Sequence, residues 1–341
     1  MLSFIISLIL FISADSLRFL IFNDDGFGYI NTSGEVVISP QFDDARSFRN
    51  NMATVNLDGK WGLIDTEGNW LIEPEYRFPL EAYDNRIRFS EHIEFELHPI
   101  IRWLSGNPSR EYYGFMDTSG KVVIPPQFTE VRQFSDGLAI FSDGGRIGYI
   151  DTSGDIVLEA EFQEAFQFSE DLAAVKVTES VLGFLPFGSS WRYINKDGEV
   201  IITTEARRAR SFSDGMASVE KKGLNGYINT NGDLVIPYKY ELAFPFSEGL
   251  ARIFHNNSWK YIDKEGNVAF YSDYQEVFDF SEGIARFRSD NQWGFMNKDG
   301  ITIISPIFDL AYDFENGLAR VRKNGIWQYI NIDGRVVWSS E

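Results

Sequence analysis

Few side chains in this sequence are of the types that usually carry out chemistry. Its 341 residues contain no cysteine and three histidines, His92, His98 and His255. The absence of cysteine excludes disulfides, thiolate zinc sites, iron–sulfur clusters and a thiol nucleophile. The histidines match no metal-ligand spacing, and no hydrolase motif supports a Ser-His-Asp site, although geometry alone would decide that. We therefore predict no catalytic residue, no metal site, no cofactor and no enzyme activity.

Carboxylates are the abundant ionisable groups. The chain has 50 acidic and 31 basic residues and a net charge of −19, which excludes nucleic-acid backbones as partners. Many of the carboxylates recur at fixed positions in a repeated turn. A glycosidase needs one unequal pair, and an EF-hand needs alternating acids within one loop, so a role in folding is favoured over catalysis or calcium binding.

The N-terminus reads MLSFIISLILFISA and carries no charge over residues 1–14. Its apolar run is shorter than the roughly 20 residues that span a bilayer. We interpret residues 1–14 as a signal peptide, with Ala14 as the last residue before cleavage. A buried first strand or a membrane-proximal anchor is the alternative. The signal predicts a secreted, periplasmic or cell-surface protein without a transmembrane span.

The remaining sequence is a tandem repeat. Its copies align on an Ile or Met that is followed by Asn or Asp, and four residues later by Gly. The anchors are Ile30, Ile64, Met116, Ile150, Ile194, Ile228, Ile262, Met296 and Ile330. Six of the eight spacings are 34 residues, and the other two are longer by an insertion. A fixed period of this length is the signature of a repeat architecture.

Strands are the expected elements of each copy. Aromatic residues make up 16% of the chain, and aromatic and β-branched residues favour sheets. The Asn or Asp opens a turn, and the Gly supplies a positive φ. The recurring alanines Ala251, Ala285 and Ala319 indicate close approach of a neighbouring sheet. The pattern predicts an all-β protein of nine three-stranded meander repeats of 34 residues, and no helical period survives over ten residues.

These motifs resemble the WG (also called KWG) repeat family. The resemblance rests on aromatic-Gly-Tyr/Phe-Ile-Asn/Asp-x-x-Gly, on V-I-x-P-x-F/Y and on F-S-x-G-L-A. It covers residues 17–341, and we assign residues 15–341 to the repeat domain. Trp61-Gly62 and Trp293-Gly294 keep the dipeptide of the name, whereas Trp191 is followed by arginine. The resemblance implies a tandem β-repeat protein, often exported, and it transfers no catalytic residue.

The arrangement of the repeats has two solutions, because a single meander must stack on its neighbours to bury its apolar face. One is an open, curved solenoid or superhelix, and the other is a closed, propeller-like ring. Propeller blades usually have four strands and about 40 or more residues. A three-stranded unit fits that poorly, so we expect the open array.

Insertions interrupt the repeat near 77–85, 97–109 and 177–190. The last two fall at the same repeat position and are apolar for loops. Their residues Trp103, Leu182, Phe184 and Phe187 are the candidate contact residues, since insertions in repeat proteins often mark the binding face. Long hairpins that fold back onto the array are the alternative. We hypothesise a monomeric, non-enzymatic scaffold for a protein partner, or a module that binds glycan or cell wall through exposed aromatics.

Overall fold

The computed structural model describes residues 16–83, 85–94, 109–181 and 185–340. The proposed signal peptide, residues 1–14, lies outside the described residues. Regular structure in the described ranges is β, in 35 strands. Among these residues there is no helix with the length and apolar character needed to cross a bilayer. The chain divides into two compact units, Met1–Pro79 and Leu80–Ser339, leaving aside the last two residues.

Each sheet is an antiparallel meander of consecutive strands. In the first unit, sheet 1 consists of β1 (Phe19–Asn23), β2 (Gly26–Ile30) and β3 (Val36–Phe42). Sheet 2 consists of β4 (Asp44–Ala45), β5 (Met52–Leu57), β6 (Lys60–Asp65) and β7 (Trp70–Tyr76).

The second unit contains sheets 3 to 9, each with four strands. Sheet 3 consists of β8 (Glu81–Tyr83), β9 (Arg86–Glu94), β10 (Ser109–Met116) and β11 (Val122–Phe128). Sheet 4 consists of β12 (Val131–Ser135), β13 (Leu138–Asp143), β14 (Arg146–Asp151) and β15 (Ile156–Phe162). Sheet 5 consists of β16 (Glu164–Ala165), β17 (Ala173–Val181), β18 (Leu185–Ile194) and β19 (Val200–Thr203). Sheet 6 consists of β20 (Arg208–Ala209), β21 (Met216–Lys221), β22 (Leu224–Asn229) and β23 (Leu234–Tyr240).

The last three sheets repeat the same order. Sheet 7 consists of β24 (Leu242–Ala243), β25 (Ala251–His255), β26 (Ser258–Ile262) and β27 (Val268–Ser272). Sheet 8 consists of β28 (Glu276–Val277), β29 (Ile284–Ser289), β30 (Gln292–Asn297) and β31 (Thr302–Phe308). Sheet 9 consists of β32 (Leu310–Ala311), β33 (Leu318–Lys323), β34 (Ile326–Asn331) and β35 (Val336–Ser339).

The number of repeats and their all-β character are confirmed, but the expected three strands per repeat are wrong for sheets 2 to 9. Their additional first strand is usually only two residues long, as in β32, where Ala311 pairs with Val321 of the next strand. The sequence analysis predicts no strand in this segment. Two residues are too few to show the alternation of apolar and polar side chains that identifies a strand.

The expectation of an open solenoid loses its basis with this correction. It depended on a three-stranded unit, whereas four consecutive antiparallel strands are the usual content of a propeller blade. The strand count therefore agrees with the alternative of the sequence analysis, the propeller-like arrangement.

The repeated turn is built as its residues predict. In sheet 8, Asn297 Oδ1 accepts hydrogen bonds from the backbone N–H groups of Asp299 at 3.1 Å and Ile301 at 2.9 Å. Gly300 has a φ of +76° and donates its N–H to the Asn297 carbonyl. The side-chain oxygen is thus occupied by the backbone, which supports the turn interpretation over a calcium ligand.

Within each unit, the apolar core lies in layers between successive sheets. Between sheets 8 and 9, for example, Phe295 and Phe308 of one sheet pack with Phe314 and Val321 of the next. Ala319 belongs to the same layer and is fully buried, as are Ala251 and Ala285 in the layers before it. Because a larger side chain would push the sheets apart, these positions explain the recurrence of alanine.

A buried tyrosine joins each of several sheets to the next. It precedes the anchor and donates its O–H to the backbone carbonyl 17 residues later, at 2.6 Å from Tyr261 to Phe278 and 2.7 Å from Tyr227 to Phe244. The same bond is made by Tyr29, Tyr149 and Tyr193. A buried carbonyl without a partner is costly, so each tyrosine satisfies the backbone beside the short first strand of the following sheet.

The F-S-D/E-G motif forms a second contact between sheets of the second unit. The Ser281 hydroxyl donates to the Phe314 carbonyl at 2.8 Å, and the Glu282 carboxylate accepts the Gly317 N–H at 2.8 Å. The same serine contact recurs from Ser135, Ser169, Ser213 and Ser247. The recurrent serine and acid of the motif are therefore structural.

We predict that stability falls steeply at alkaline pH. Burial raises the pKa of Tyr329 to about 12 and raises the pKa values of Tyr149, Tyr193, Tyr227 and Tyr261 further. Each tyrosine then ionises near pH 10 in the unfolded chain but remains neutral in the folded one. The contribution of each tyrosine to the free energy of unfolding is complete below about pH 10 and decreases by about 1.4 kcal/mol per pH unit above it. Thermal unfolding followed by circular dichroism from about pH 8 to about pH 11 measures this loss.

Two phenylalanine variants provide the control. Tyr261→Phe removes one buried hydroxyl, so it costs about 1 kcal/mol at neutral pH and makes the alkaline loss shallower. Tyr271→Phe changes a tyrosine that is 67% exposed and alters neither property. Equal behaviour of the two variants, or no alkaline loss, contradicts the prediction.

Candidate functional site

The contact residues expected from the insertions are only partly described. Trp103, Leu182 and Phe184 lie outside the described residues, and for Phe187 the backbone of β18 is described but the side chain is not. The insertions near 97–109 and 177–190 lengthen the hairpins β9–β10 and β17–β18. The insertion near 77–85 contains β8, the first strand of sheet 3. The contact assignments of the four residues remain predictions.

The two histidines that the structure describes lie in different sheets. His92 is exposed in β9, and His255 ends β25, where its Nδ1 lies 3.1 Å from Glu241 Oε2. His98 lies outside the described residues. Within the described part of the chain, no group of three or more His, Asp and Glu side chains is arranged to hold a metal ion.

One position in the repeat changes from sheet to sheet and lies between sheets. It is the residue that pairs, on the preceding strand, with the residue immediately before the anchor. We name it the bridge position. Its nine occupants are Leu20, Thr54, Arg88, Ile140, Ala174, Ser218, Arg252, Arg286 and Arg320. Four are arginines, and the others are small, aliphatic or hydroxyl-bearing.

In sheet 7 the bridge arginine spans the gap to sheet 8. Arg252 Nε donates to Asp279 Oδ1 at 2.7 Å, and its Nη1 donates to the Val277 carbonyl at 3.0 Å. The guanidinium carbon lies 3.5 Å from the ring centroid of Phe244. The Arg252 side chain is 12% exposed, so a paired and stacked guanidinium fills this space.

Sheet 8 uses the same arrangement toward sheet 9. Arg286 Nε donates to Asp313 Oδ1 at 2.7 Å, and Nη1 donates to the Ala311 carbonyl at 2.8 Å. Its guanidinium carbon lies 3.9 Å from the ring centroid of Phe278. An arginine, an aspartate and an aromatic ring thus form one recurring set of contacts.

Cavities lie where the bridge position of sheets 4 and 6 has lost its arginine. Ser218 in sheet 6 lines a cavity of about 590 Å³. Ile140 in sheet 4 lines one of about 670 Å³, together with Arg88 and Arg132. Both volumes are in the range of small-molecule sites. Each of the two cavities is thus lined by a bridge residue that is not an arginine.

The cavity beside Ser218, which we name the arginine pocket, is lined by Arg207, Arg208, Arg210, Ser218, Phe244 and Pro245, among others. Ser218 is buried and stands where sheet 7 has Arg252. Pro245 stands where sheet 8 has Asp279, one residue after the carbonyl that accepts the tyrosine bond. Both partners of the arginine–aspartate pair are thus absent from this pocket.

The arginine pocket carries an excess of positive charge. Arg207 and Arg208 share one carboxylate, Glu220, with Nε–Oε2 distances of 3.5 Å and 3.9 Å. The guanidinium of Arg210 is exposed and, among the described residues, makes no salt bridge. Its carbon lies 6.0 Å from the Phe166 ring centroid. Arg210 is therefore available to a ligand.

The other carboxylate of the arginine pocket is already engaged. Glu241 lines the cavity, and hydrogen bonds from its own backbone N–H, from the Asn256 N–H and from His255 lower its pKa. With Glu220 held by two arginines and by the Gly223 N–H at 2.7 Å, the pocket offers a cation rather than a general base. Binding is the chemistry that this arrangement provides.

Comparison with known proteins agrees with the repeat architecture. The model of the WG containing repeat matches eight segments, residues 27–61, 61–78, 113–146, 147–179, 191–224, 226–259, 261–293 and 293–327. Together they cover more than half of the chain. The chain belongs to the WG repeat family. The resemblance drawn from the sequence is confirmed.

No curated protein matches this WG-repeat chain. Among solved structures, Hsv2 of Kluyveromyces lactis is 12% identical, with a TM-score of 0.38 over 83% of this chain and 95% of that one. Hsv2 of Kluyveromyces marxianus is 12% identical, with a TM-score of 0.37 over 72% and 91%. The extracellular domain of a putative hybrid two-component system from B. thetaiotaomicron is 9% identical, with a TM-score of 0.27 over 94% and 50%. These likenesses are distant.

Sequence reasoning missed the arginine pocket, although two signals were present. The run EARRAR, residues 205–210, is a basic cluster in a chain of net charge −19. The motif G-L-A-R of the later WG repeats also becomes G-M-A-S at Ser218. A comparison of what differs between copies, rather than of what they share, would have identified the position.

We predict that the arginine–aspartate bridge contributes measurable coupling. Arg286→Gln and Asp313→Asn, made singly and together, form a double-mutant cycle. We expect a coupling energy of about 1 kcal/mol, because the pair is charged and aligned but the Asp313 side chain is 42% exposed. Urea unfolding measures it, and Arg335→Gln serves as the control for loss of a charge. A coupling energy near zero would show that the pair merely fills space.

Proposed function

We propose that this WG-repeat chain is a non-enzymatic, secreted or cell-surface scaffold that binds a protein partner. The observation that carries the proposal is the pair of cavities at the bridge positions of sheets 4 and 6. The recurrent polar residues of the described repeats bond within the fold, so the departures from the repeat are what remains for recognition. These departures are the two cavities and the two lengthened hairpins.

Protein binding has more support than glycan binding through exposed aromatics. The tryptophans at the repeated positions Trp61, Trp191 and Trp293 are buried. Sugar-binding platforms need an accessible aromatic face, and these faces belong to the layers between sheets. Tyr271, Tyr312 and Phe78 are exposed, but they stand at different positions of the repeat and form no repeated row.

The proposed location rests on the N-terminal sequence. The apolar run within residues 1–14 has the length and composition of a signal peptide, and a chain without cysteine is compatible with an oxidising compartment. Cell fractionation with an antibody against the intact protein tests this. Recovery of the full-length chain in the cytosol would contradict it.

We also propose the propeller-like arrangement of the repeats in place of the open solenoid, supported by the four-stranded sheets. Small-angle X-ray scattering of the purified protein distinguishes the two. The proposal expects a pair-distance distribution with a single compact maximum. A long, decaying tail, as an extended array of stacked repeats produces, would contradict it.

Deletion of the two hairpin insertions tests their role in partner binding. Residues 97–109 and 177–190 are each replaced by a two-residue Asn-Gly turn, which suits a tight hairpin. We expect recovery of a cross-linked protein partner to decrease at least tenfold, because the candidate contact residues are lost. Circular dichroism and thermal unfolding confirm that the sheets persist in the variant.

The outcomes separate the two parts of this proposal. Equal partner recovery from the double deletion would refute the assignment of contacts to the hairpins. Failure of the intact protein to bind any protein, together with retention on a glycan array, would refute the protein-binding scaffold itself.

A further inference from the structure

We propose that the arginine pocket binds a carboxylate side chain of a peptide, with Arg210 as its principal ligand group. The inference rests on the proposed function in taking a protein as the source of the carboxylate. It follows from the residues that occupy the equivalent space at the bridge positions of sheets 7 and 8.

The repeat itself shows which chemistry fits this space. In sheets 7 and 8 the bridge space holds a guanidinium bonded to a carboxylate, as Arg252 to Asp279 and Arg286 to Asp313, each at 2.7 Å. In sheet 6 the bridge position holds Ser218 instead of an arginine, and Pro245 replaces the aspartate. The space that holds an arginine–carboxylate pair in sheets 7 and 8 therefore contains neither partner in sheet 6.

Sheet 6 supplies a guanidinium from a different strand. Arg210 stands at the position that Phe244 occupies in sheet 7, one residue after the short strand. It makes no salt bridge among the described residues, and it lines the cavity. A guanidinium fork binds a carboxylate through two parallel hydrogen bonds, so the missing member of the pair is an anion.

The remainder of the pocket favours a single carboxylate on an apolar stem. Leu242, Ala243, Phe244 and Pro245 form its wall on the side of sheet 7. The buried Ser218 leaves the space that an arginine stem would fill. An extended glutamate with apolar neighbours therefore matches the cavity, in which apolar walls surround a few polar groups.

The long-range charge of the protein opposes other anions. The chain carries a net charge of −19, so a phosphorylated peptide or a polyuronate meets repulsion that grows with each added charge. One carboxylate brings the smallest charge that can pair with Arg210. The charge balance thus favours an isolated acidic side chain over a polyanion.

Arginine-detected NMR tests the inference directly. The probe is a capped pentapeptide with one glutamate between leucines, titrated into the intact protein while the arginine Nε–Hε signals are followed. We expect saturable shifts of the Arg210 signal, with a Kd at least tenfold lower than that of the matched glutamine peptide. Arg210→Gln abolishes this preference, whereas Arg110→Gln, an exposed arginine of sheet 3, retains it.

A second variant closes the pocket while keeping a natural set of contacts. Arg210→Phe, Ser218→Arg and Pro245→Asp together reproduce the trio Phe244, Arg252 and Asp279 of sheet 7. We expect this variant to fold with an unchanged circular dichroism spectrum and to lose glutamate-peptide binding at least tenfold. The variant should fold because sheet 7 accommodates the same three residues at the equivalent positions.

The controls identify the result that overturns the inference. Equal affinity for the glutamate and glutamine peptides, or glutamate binding that survives in the closed variant, would refute it. Shifts of Arg210 with inorganic phosphate or galacturonate but not with the glutamate peptide would also refute it. A closed variant that still recovers the protein partner would refute the role of the arginine pocket in partner binding but not the scaffold proposal. An intact protein that binds the peptide but recovers no protein partner would refute the scaffold proposal but not the peptide site.

Discussion

The contact on which each unit of this molecule depends is the one between its successive sheets, because a lone antiparallel meander cannot bury its apolar face. Apolar layers supply most of the contact, and hydrogen bonds give it a fixed geometry. The hydroxyl of Tyr261, a side chain that is 1% exposed, reaches the Phe278 carbonyl at 2.6 Å. A slip of one sheet against the next would leave both groups buried without partners, which costs more than the bond itself contributes. Where the tyrosine is present, it therefore helps to determine the position of one sheet on the next.

Repetition makes this design tolerant of local losses. Leu63, Phe115 and Phe295 occupy the tyrosine position in three copies and carry no hydroxyl, yet they are fully buried in the same way. The serine and acid contacts of the next turns, such as those of Ser281 and Glu282, act on the same pair of sheets. Because several weak contacts determine each sheet's position, individual positions are free to vary. The bridge position is where that freedom has the largest effect on the space between sheets.

The sequence contained the repeat and its turns but not its smallest strand. The anchors, the Asn297 turn and the buried alanines follow from residue type and spacing, since each has a local cause that every copy repeats. The two-residue strand Leu310–Ala311 has no such local cause, because its pairing with β33 is set by tertiary packing. Motif reasoning, which follows what the copies share, also missed the arginine pocket. The replacement of arginine by Ser218 is visible in the sequence as a difference between copies, but the contacts of Arg252 and Arg286 are needed to show what that arginine does.

The net charge of the protein and the charge of the arginine pocket act on a ligand over different distances. At physiological ionic strength the screening length is about 8 Å, so the net charge of −19 acts on the approaching surface as a whole and the Arg210 guanidinium acts only within the cavity. A partner with a basic surface and one protruding acidic side chain meets attraction at both distances. A strongly acidic surface is repelled before any of its carboxylates reaches the pocket. The same guanidinium therefore discriminates between partners by what surrounds the carboxylate, and this selectivity would disappear in high salt while the local pair remained.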